Sequence, residues 1–399
     1  MEKLSNQERL RPWMGIVFFL VVMLVFVTVC SLMQYYWGIP GLIATEVLLA
    51  GMAVAFAKIR KVKLSEVFPV KKITLKDFFG CILLLIGGYL FSIASIYLMA
   101  TIFPSSMSEA EGINDMLYSG GANYFYLLFA VAVLPAICEE MLHRGAILSS
   151  FRGVKHEWIA IVAVGLTFSI NHLSILRGPF TFILGATLAW VLIKRNNILL
   201  TMLMHGLLNA FSVTTAYFTS KTTDLGEAAG AVTQADSLSL LGSVLTVACA
   251  APVIYLTGMM LISPKTHRAR RYIWAVLAGV VIFISGIAIT YVSTYRSMLA
   301  NAELDYTIEE VGSMSEAVTF TIEEESDHQI VVTMMNAKGD YTVILQDDEG
   351  NVACQGEISD GTIRMYQQTV TLEPDDYEVY IESGEGTVGE HPTISILVK

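Results

Sequence analysis

Long apolar runs recur through the first 295 residues of this 399-residue sequence. Backbone polar groups cannot be left bare in lipid, so a run of about 20 apolar residues crosses a bilayer as a helix. Hydrophobic residues make up 54% of the sequence and charged residues only 15%, which is typical of polytopic membrane proteins. We predict an all-α membrane domain at 1–295 with about nine spans, placed at 13–37, 40–57, 77–103, 123–150, 157–176, 179–193, 197–218, 238–262 and 272–295.

Charge is distributed unevenly between the two parts of the chain. Residues 301–399 contain 22 Asp or Glu and three Lys or Arg, a net charge of −19, whereas the first 300 residues carry a net charge of +8. The acidic part argues against nucleic acid as a partner. Loops between the predicted spans are alternately basic and acidic, which predicts a cytoplasmic N-terminus and an extracytoplasmic C-terminal part. We expect an integral protein of a bacterial plasma membrane.

After residue 296, the sequence changes to short segments in which apolar and polar residues alternate, such as "HQIVVTMM" and "DYEVYIES". This period of two is typical of β-strands with one buried face. Turn signals such as Asp360-Gly361 separate the segments. We predict a polar stalk at 296–316 and a β-sandwich at 317–399, which serves as a spacer or binds an extracytoplasmic ligand.

Ionisable side chains are rare within the predicted spans. Each costs at least ~2.5–3.5 kcal/mol at the bilayer centre, so each is a functional candidate by default. We expect the isolated Glu46 to lie at the membrane interface and His143 to make an incidental polar contact. The candidates, with one neighbouring amide, are Glu46 in the second span, Glu139, Glu140, His143 and Arg144 in the fourth, His172 in the fifth, and His205 and Asn209 in the seventh.

Helical spacing separates the two adjacent glutamates. Glu140 and Arg144 are four residues apart, share a helix face and are predicted to form an ion pair. Glu139 is rotated by about 100° from Glu140, so its carboxylate remains available. His205 and Asn209 are also four residues apart. One carboxylate, two histidines and an amide from three helices could then converge to activate water and stabilise an oxyanion.

Three motifs on successive spans carry a resemblance to a known family. "EEMLHR" matches E-E-x-x-x-R, "FSINH" matches F-x-x-x-H and "HGLLN" matches H-x-x-x-N. In this order they resemble the CPBP family of intramembrane proteases, which includes the CAAX endopeptidases and the bacterial Abi proteins. The resemblance covers roughly residues 77–262. It implies an endopeptidase that hydrolyses peptide bonds of a membrane-associated or peptide substrate.

The resemblance also implies roles for six residues. Glu139 would be the general base that deprotonates water, with assistance from His172. His205 and Asn209 would hold the developing oxyanion. The remaining pair, Glu140 and Arg144, would fix the helix.

Several alternatives remain open at the level of sequence. Glu139, His172 and His205 could supply a two-histidine, one-carboxylate zinc site, although a metal-free mechanism is slightly favoured. A transporter could use the same cluster as a proton or cation relay. The chain could also be an inactive scaffold with a binding ectodomain. A straight fourth helix would separate Glu139 from His172 in depth, so we expect a bend or slide near Pro135.

Overall fold

The computed structural model describes residues 10–103, 106, 117, 121–222, 234–263, 269–296, 298–358 and 364–399. The chain divides into two compact units, Met1–Thr290 and Tyr291–Lys399. The first unit is helical and the second is built of β-strands.

Fourteen α-helices and three π-helical segments are found in the described residues. Prolines stand in the first turn of several helices, where their missing amide hydrogen costs nothing. In chain order the helices are α1 (Pro12–Val25), π1 (Phe26–Cys30), α2 (Ser31–Trp37), α3 (Ile39–Ile59), α4 (Leu64–Val67), α5 (Leu75–Ile102), α6 (Tyr124–Leu127), π2 (Leu128–Val133), α7 (Leu134–Glu140), π3 (Met141–Ile147), α8 (Leu148–Ser150), α9 (Glu157–Asn171), α10 (Gly178–Arg195), α11 (Ile198–Thr222), α12 (Gln234–Ala248), α13 (Ala251–Ile262) and α14 (Ala269–Arg296).

Six helices in the described part of the chain are long and apolar enough to cross a membrane. A seventh crossing results if α12 and α13, which are bent by 46° at their junction, form one broken span. The prediction of about nine spans is therefore not confirmed. The six are Pro12–Trp37, Ile39–Ile59, Leu75–Ile102, Tyr124–Ser150, Ile198–Thr219 and Arg270–Thr294.

The fifth and sixth predicted spans account for most of this difference. Helix α9 has 15 residues and is about 22 Å long, which is shorter than a hydrocarbon core of about 30 Å. The helix ends because Leu173 adopts a left-handed φ of +48°, so the apolar residues that follow lie in a loop. Helix α10 carries Lys194 and Arg195 in its last turn and is not among the six. The apolar run in the sequence therefore extends beyond the end of helix α9.

The fourth span, Tyr124–Ser150, is one continuous crossing. A bend or slide was expected near Pro135, and the span contains π-helical turns on both sides of α7. Such turns shift the register of all residues beyond them and are frequent at functional sites. The two glutamates at the end of α7 therefore lie between two irregular segments of the same span.

Helices α9 and α10 form a closely packed hairpin. A Cβ atom at Gly185 would lie 3.0 Å from the Cβ of Phe168 and 3.1 Å from the Cα of Gly165. Because both facing positions lack side chains, the two backbones approach closely. This contact fixes the position of Phe168 at the centre of the bundle.

The second unit contains two four-stranded antiparallel sheets, with strand orders β1-β8-β3-β6 and β2-β7-β4-β5. Alternate residues of both sheets, such as Ile330 and Val332 from one and Val343 and Val379 from the other, form a single hydrophobic core. The strands are β1 (Ala300–Asp305), β2 (Val318–Ile322), β3 (Ser326–Met335), β4 (Tyr341–Asp347), β5 (Val352–Glu357), β6 (Arg364–Leu372), β7 (Asp375–Ser383) and β8 (Thr393–Val398).

The structure differs from the predicted stalk at 296–316. Residues 300–305 pair with β8 as an edge strand, and Ile308 is buried in the core with 1% of its surface exposed. Residues 300–305 do alternate apolar and polar residues, but two of the three apolar positions are alanines, which are a weak signal for a strand. Much of this segment thus belongs to the β unit.

Candidate active site

Glu140 joins the fourth span to helix α11. Its Oε1 accepts a hydrogen bond of 2.8 Å from Nη1 of Arg144, so the predicted ion pair is confirmed, and both side chains are fully buried. The same oxygen lies 3.0 Å from Nδ1 of His205. A buried charge is tolerated only when it is paired and hydrogen-bonded. Glu140 satisfies this condition with one partner on its own helix and one on another.

Phe168 lies at the centre of the cluster and contacts four of its members. The guanidinium carbon of Arg144 is 4.4 Å from the centroid of the ring, a cation–π geometry. The rings of His143, His172 and His205 have their centroids 5.1, 4.8 and 5.6 Å from that of Phe168. Three histidines from three helical segments are therefore arranged around one buried aromatic ring.

The hydrogen bonds of the histidines determine which ring nitrogen carries a hydrogen. Nδ1 of His172 lies 2.8 Å from the carbonyl oxygen of Phe168, and Nδ1 of His143 lies 3.2 Å from the carbonyl oxygen of Glu139. A carbonyl oxygen only accepts, so Nδ1 is the donor in both rings. In neutral His172, Nε2 therefore carries the lone pair that can receive a proton.

Glu139 differs from Glu140 in having no counterion bonded to it. Its Oε2 is buried without a hydrogen-bond partner. The carboxylate lies close enough to His172 and Arg144 to interact with both electrostatically. The expectation of one paired and one available glutamate therefore agrees with the geometry.

Asn209 is placed differently from the other predicted residues. Its Nδ2 donates a hydrogen bond of 3.2 Å to the carbonyl oxygen of Val131 in π2. Pro135, four residues after Val131, has no amide hydrogen to donate to that carbonyl. One of the two N–H groups of the amide therefore stabilises the irregular helix, which leaves one for another partner.

Glu46, which was expected at the membrane interface, is buried within the protein. Its side chain lies on α3 with only 3% exposed, and it interacts electrostatically with Glu139. The sequence showed that the second span contains an energetically costly carboxyl group, but it did not show that this group interacts with Glu139. His143 is fully buried, and its Nε2 has no hydrogen-bond partner.

Glu139, His172 and His205 are the candidate ligands of a zinc ion. Within the described residues, no group of three or more His, Cys, Asp or Glu side chains is arranged to hold a metal ion. The hydrogen bonds of Nδ1 in His172 and His205 would leave Nε2 of each ring for a metal. The predicted ligands Glu139, His172 and His205 nevertheless do not form a metal-binding group as they are placed.

Residues 121–211 match the family model of the Rce1-like type II CAAX prenyl endopeptidases. This segment is Rce1-like. It contains all six residues that the motifs single out, and it contributes the fourth span and helices α9 to α11. The apolar spans and this match together indicate an integral membrane protein that contains a segment similar to type II CAAX prenyl endopeptidases.

Comparison with solved structures gives only weak similarities. The pre-peptidase C-terminal domain of a collagenase from Bacillus anthracis is 19% identical, covers 25% of this chain and 89% of its own, and has a TM-score of 0.20. The C-terminal CBM6 of LamC, a marine laminarinase from Zobellia galactanivorans, is 13% identical, covers 26% and 94%, and has a TM-score of 0.18. These TM-scores are too low to define a shared fold. No curated protein is significantly similar to the chain.

Proposed function

We propose that this protein is an intramembrane endopeptidase that hydrolyses peptide bonds of a membrane-associated or peptide substrate. One observation carries the proposal. Glu140 is held by both Arg144 and His205, while the adjacent Glu139 has a buried oxygen without a partner. A carboxylate that is not neutralised by an ion pair is suited to act as a base.

The proposed reaction assigns one step to each of these groups. Glu139 takes a proton from water, and the resulting hydroxide attacks the carbonyl carbon of the substrate. His172, which interacts with Glu139, assists through Nε2. The tetrahedral oxyanion accepts a hydrogen bond from the remaining N–H of Asn209. It accepts a second one from Nε2–H of His205 in the form of that ring that carries hydrogens on both nitrogens, because Nδ1–H is donated to Glu140. When the C–N bond breaks, the proton passes to the leaving amine, and a carboxylate and an amine are released.

Glu140 and Arg144 have a positioning role in this proposal. Nη2 of Arg144 also donates a hydrogen bond of 3.1 Å to the carbonyl oxygen of Gly185. The pair thus connects the fourth span to α10, and Glu140 connects it to α11. Together with the cation–π contact between Arg144 and Phe168 of α9, these contacts connect the three motif-bearing segments.

The orientation of the chain is part of the same proposal. Seven crossings, with α12 and α13 as one span, place the two ends on opposite sides of the membrane. The basic loops favour a cytoplasmic N-terminus, so the acidic β unit is extracytoplasmic, where it can bind a ligand.

The test is a comparison of wild-type protein with Glu139→Gln in the full-length, reconstituted chain. Both are incubated with a mixture of membrane proteins and peptides, and new termini are identified by mass spectrometry. Wild-type protein should generate new termini and Glu139→Gln should not, at unchanged thermal stability. Equal cleavage by both proteins would reject the assignment of Glu139 as the base.

A matched incubation with a chelator tests the metal-free form of the mechanism. Cleavage should continue at the same rate, because the site residues do not form a metal-binding set as placed. Loss of cleavage on chelation, with recovery on addition of zinc, would contradict this form while leaving the protease assignment intact.

A further inference from the structure

Glu46 is a buried acid that the proposed mechanism does not use. It lies in the first half of α3, the second span, with 3% of its surface exposed. Its Oε2 is buried without a hydrogen-bond partner. It also lies outside the segment that matches the family model. An ionised carboxyl group in such a place is energetically costly, so Glu46 is either protonated or retained for a function.

The groups that act on Glu46 are acidic or neutral. Glu139 of α7 interacts with it electrostatically. Cys138 of the same helix and Cys30 of π1 are the other titratable neighbours. None of the ion pairs formed within the described residues includes Glu46. The second span therefore presents an acid to the candidate base without a cation between them.

Two carboxylates side by side in a medium of low dielectric constant cannot both be ionised, so the pair retains one proton. The surroundings decide which member holds it. A cation, Arg144, interacts with Glu139, whereas the titratable groups that act on Glu46 are an acid and two thiols. The proton therefore belongs to Glu46.

We propose that Glu46 is a positioning residue of the candidate site: a neutral carboxylic acid that donates a hydrogen bond to Glu139, directly or through one water molecule. Both carboxyl groups have a buried oxygen without a partner, which is the arrangement such a bond requires. The bond fixes the orientation of the ionised Glu139 toward the substrate. The kinetic part of this inference rests on the proposed function, and its structural part does not.

The kinetic test compares Glu46→Leu with Glu46→Gln in the full-length protein. Leucine fills the space but cannot donate, so kcat should fall by about 10–100-fold with little change in KM. Glutamine keeps a neutral donor and should restore most of the lost activity. Equal activities of the two variants would overturn the proposal. Gly51→Ala on the same helix, where an added Cβ meets nothing within 4 Å, is the control for general effects on α3.

An infrared measurement tests the protonation state without any assay of activity. Wild-type protein at neutral pH should show the carbonyl stretch of a protonated carboxylic acid. The band should disappear in Glu46→Gln and remain in Glu139→Gln. Absence of the band in wild-type protein would overturn the proposal even if the protein cleaves peptides. Its presence in a protein that cleaves nothing would reject the proposed function and retain the role of Glu46.

Discussion

Nδ1 of His205 lies 3.0 Å from Oε1 of Glu140. The same oxygen accepts a hydrogen bond from Arg144, so one carboxylate organises a cation and an imidazole from different helices. Because Nδ1 of His205 is the donor to this carboxylate, Nε2 is the nitrogen that remains for a substrate. The ion pair that sequence spacing predicts is thus only half of the arrangement.

Removal of the Glu140 carboxylate should destabilise the membrane unit strongly. In Glu140→Gln the buried Arg144 loses its counterion, and we expect a loss of about 3–5 kcal/mol. The measurement is the free energy of unfolding in detergent. The control is Glu157→Gln, which breaks an ion pair with Lys194 at the surface of α9 and α10 and should cost less than about 1 kcal/mol. Similar losses of unfolding free energy in both variants would show that burial does not determine how much these ion pairs contribute to stability.

Asn209→Leu should separate a catalytic role from a bridging role. If the free N–H of the amide stabilises the oxyanion, kcat should fall by about 100–1000-fold. The control is Tyr124→Phe, which removes the hydrogen bond of 2.9 Å between Tyr124 and Thr214 at the same pair of helical segments. Its kcat should stay near the wild-type value. If Asn209→Leu loses no more activity than Tyr124→Phe, Asn209 has no role in catalysis and serves only as a bridge to Val131.

Gly185→Ala should disturb the site through packing alone. The added Cβ would lie 3.0 Å from Cβ of Phe168, so α9 and α10 must move apart by a few tenths of an ångström, and Phe168 and the carbonyl that receives Arg144 move with them. We expect lower thermal stability and a lower kcat. Gly51→Ala, which meets nothing within 4 Å, should change neither. Unchanged kcat in Gly185→Ala would show that the histidines do not depend on this contact.

The β unit should lose stability in acid through Glu390. Burial would raise the pKa of Glu390, but hydrogen bonds from Tyr341 (2.6 Å) and from the amides of Lys338 and Gly339 outweigh it and hold the pKa below its usual value. A carboxyl group with a lowered pKa in the folded state contributes stability that is complete above the pKa of the unfolded chain, about 4.3. This stability is lost as the pH falls through the folded pKa.

Hydrogen exchange of the β strands in the full-length chain, followed from pH 6 to pH 3, measures this loss. Glu390→Gln should have a weaker dependence on pH over this range, because the titrating group is gone. Glu323→Gln, at an exposed position after β2, is the control and should follow the wild type. If Glu390→Gln keeps the wild-type pH dependence, the acid sensitivity of the β unit comes from other carboxyl groups.

Patterns confined to one element were predictable. The i,i+4 spacing of Glu140 and Arg144 gave the ion pair, because helix geometry alone brings such residues together. Long apolar runs gave the membrane class, and alternation in "HQIVVTMM" gave strand β3. The order of the three motifs gave the family resemblance, which the match at residues 121–211 supports.

Contacts between elements were decided only by the tertiary structure. Composition could not show that α9 stops at Asn171, that Glu46 is buried beside Glu139, or that residues 300–305 pair with β8. Sequence periodicity reports which face of a helix or strand is apolar, but it does not report which other element that face meets. The identity of the neighbour depends on how distant segments pack, and this packing determines which buried acid is paired with a cation and which is not.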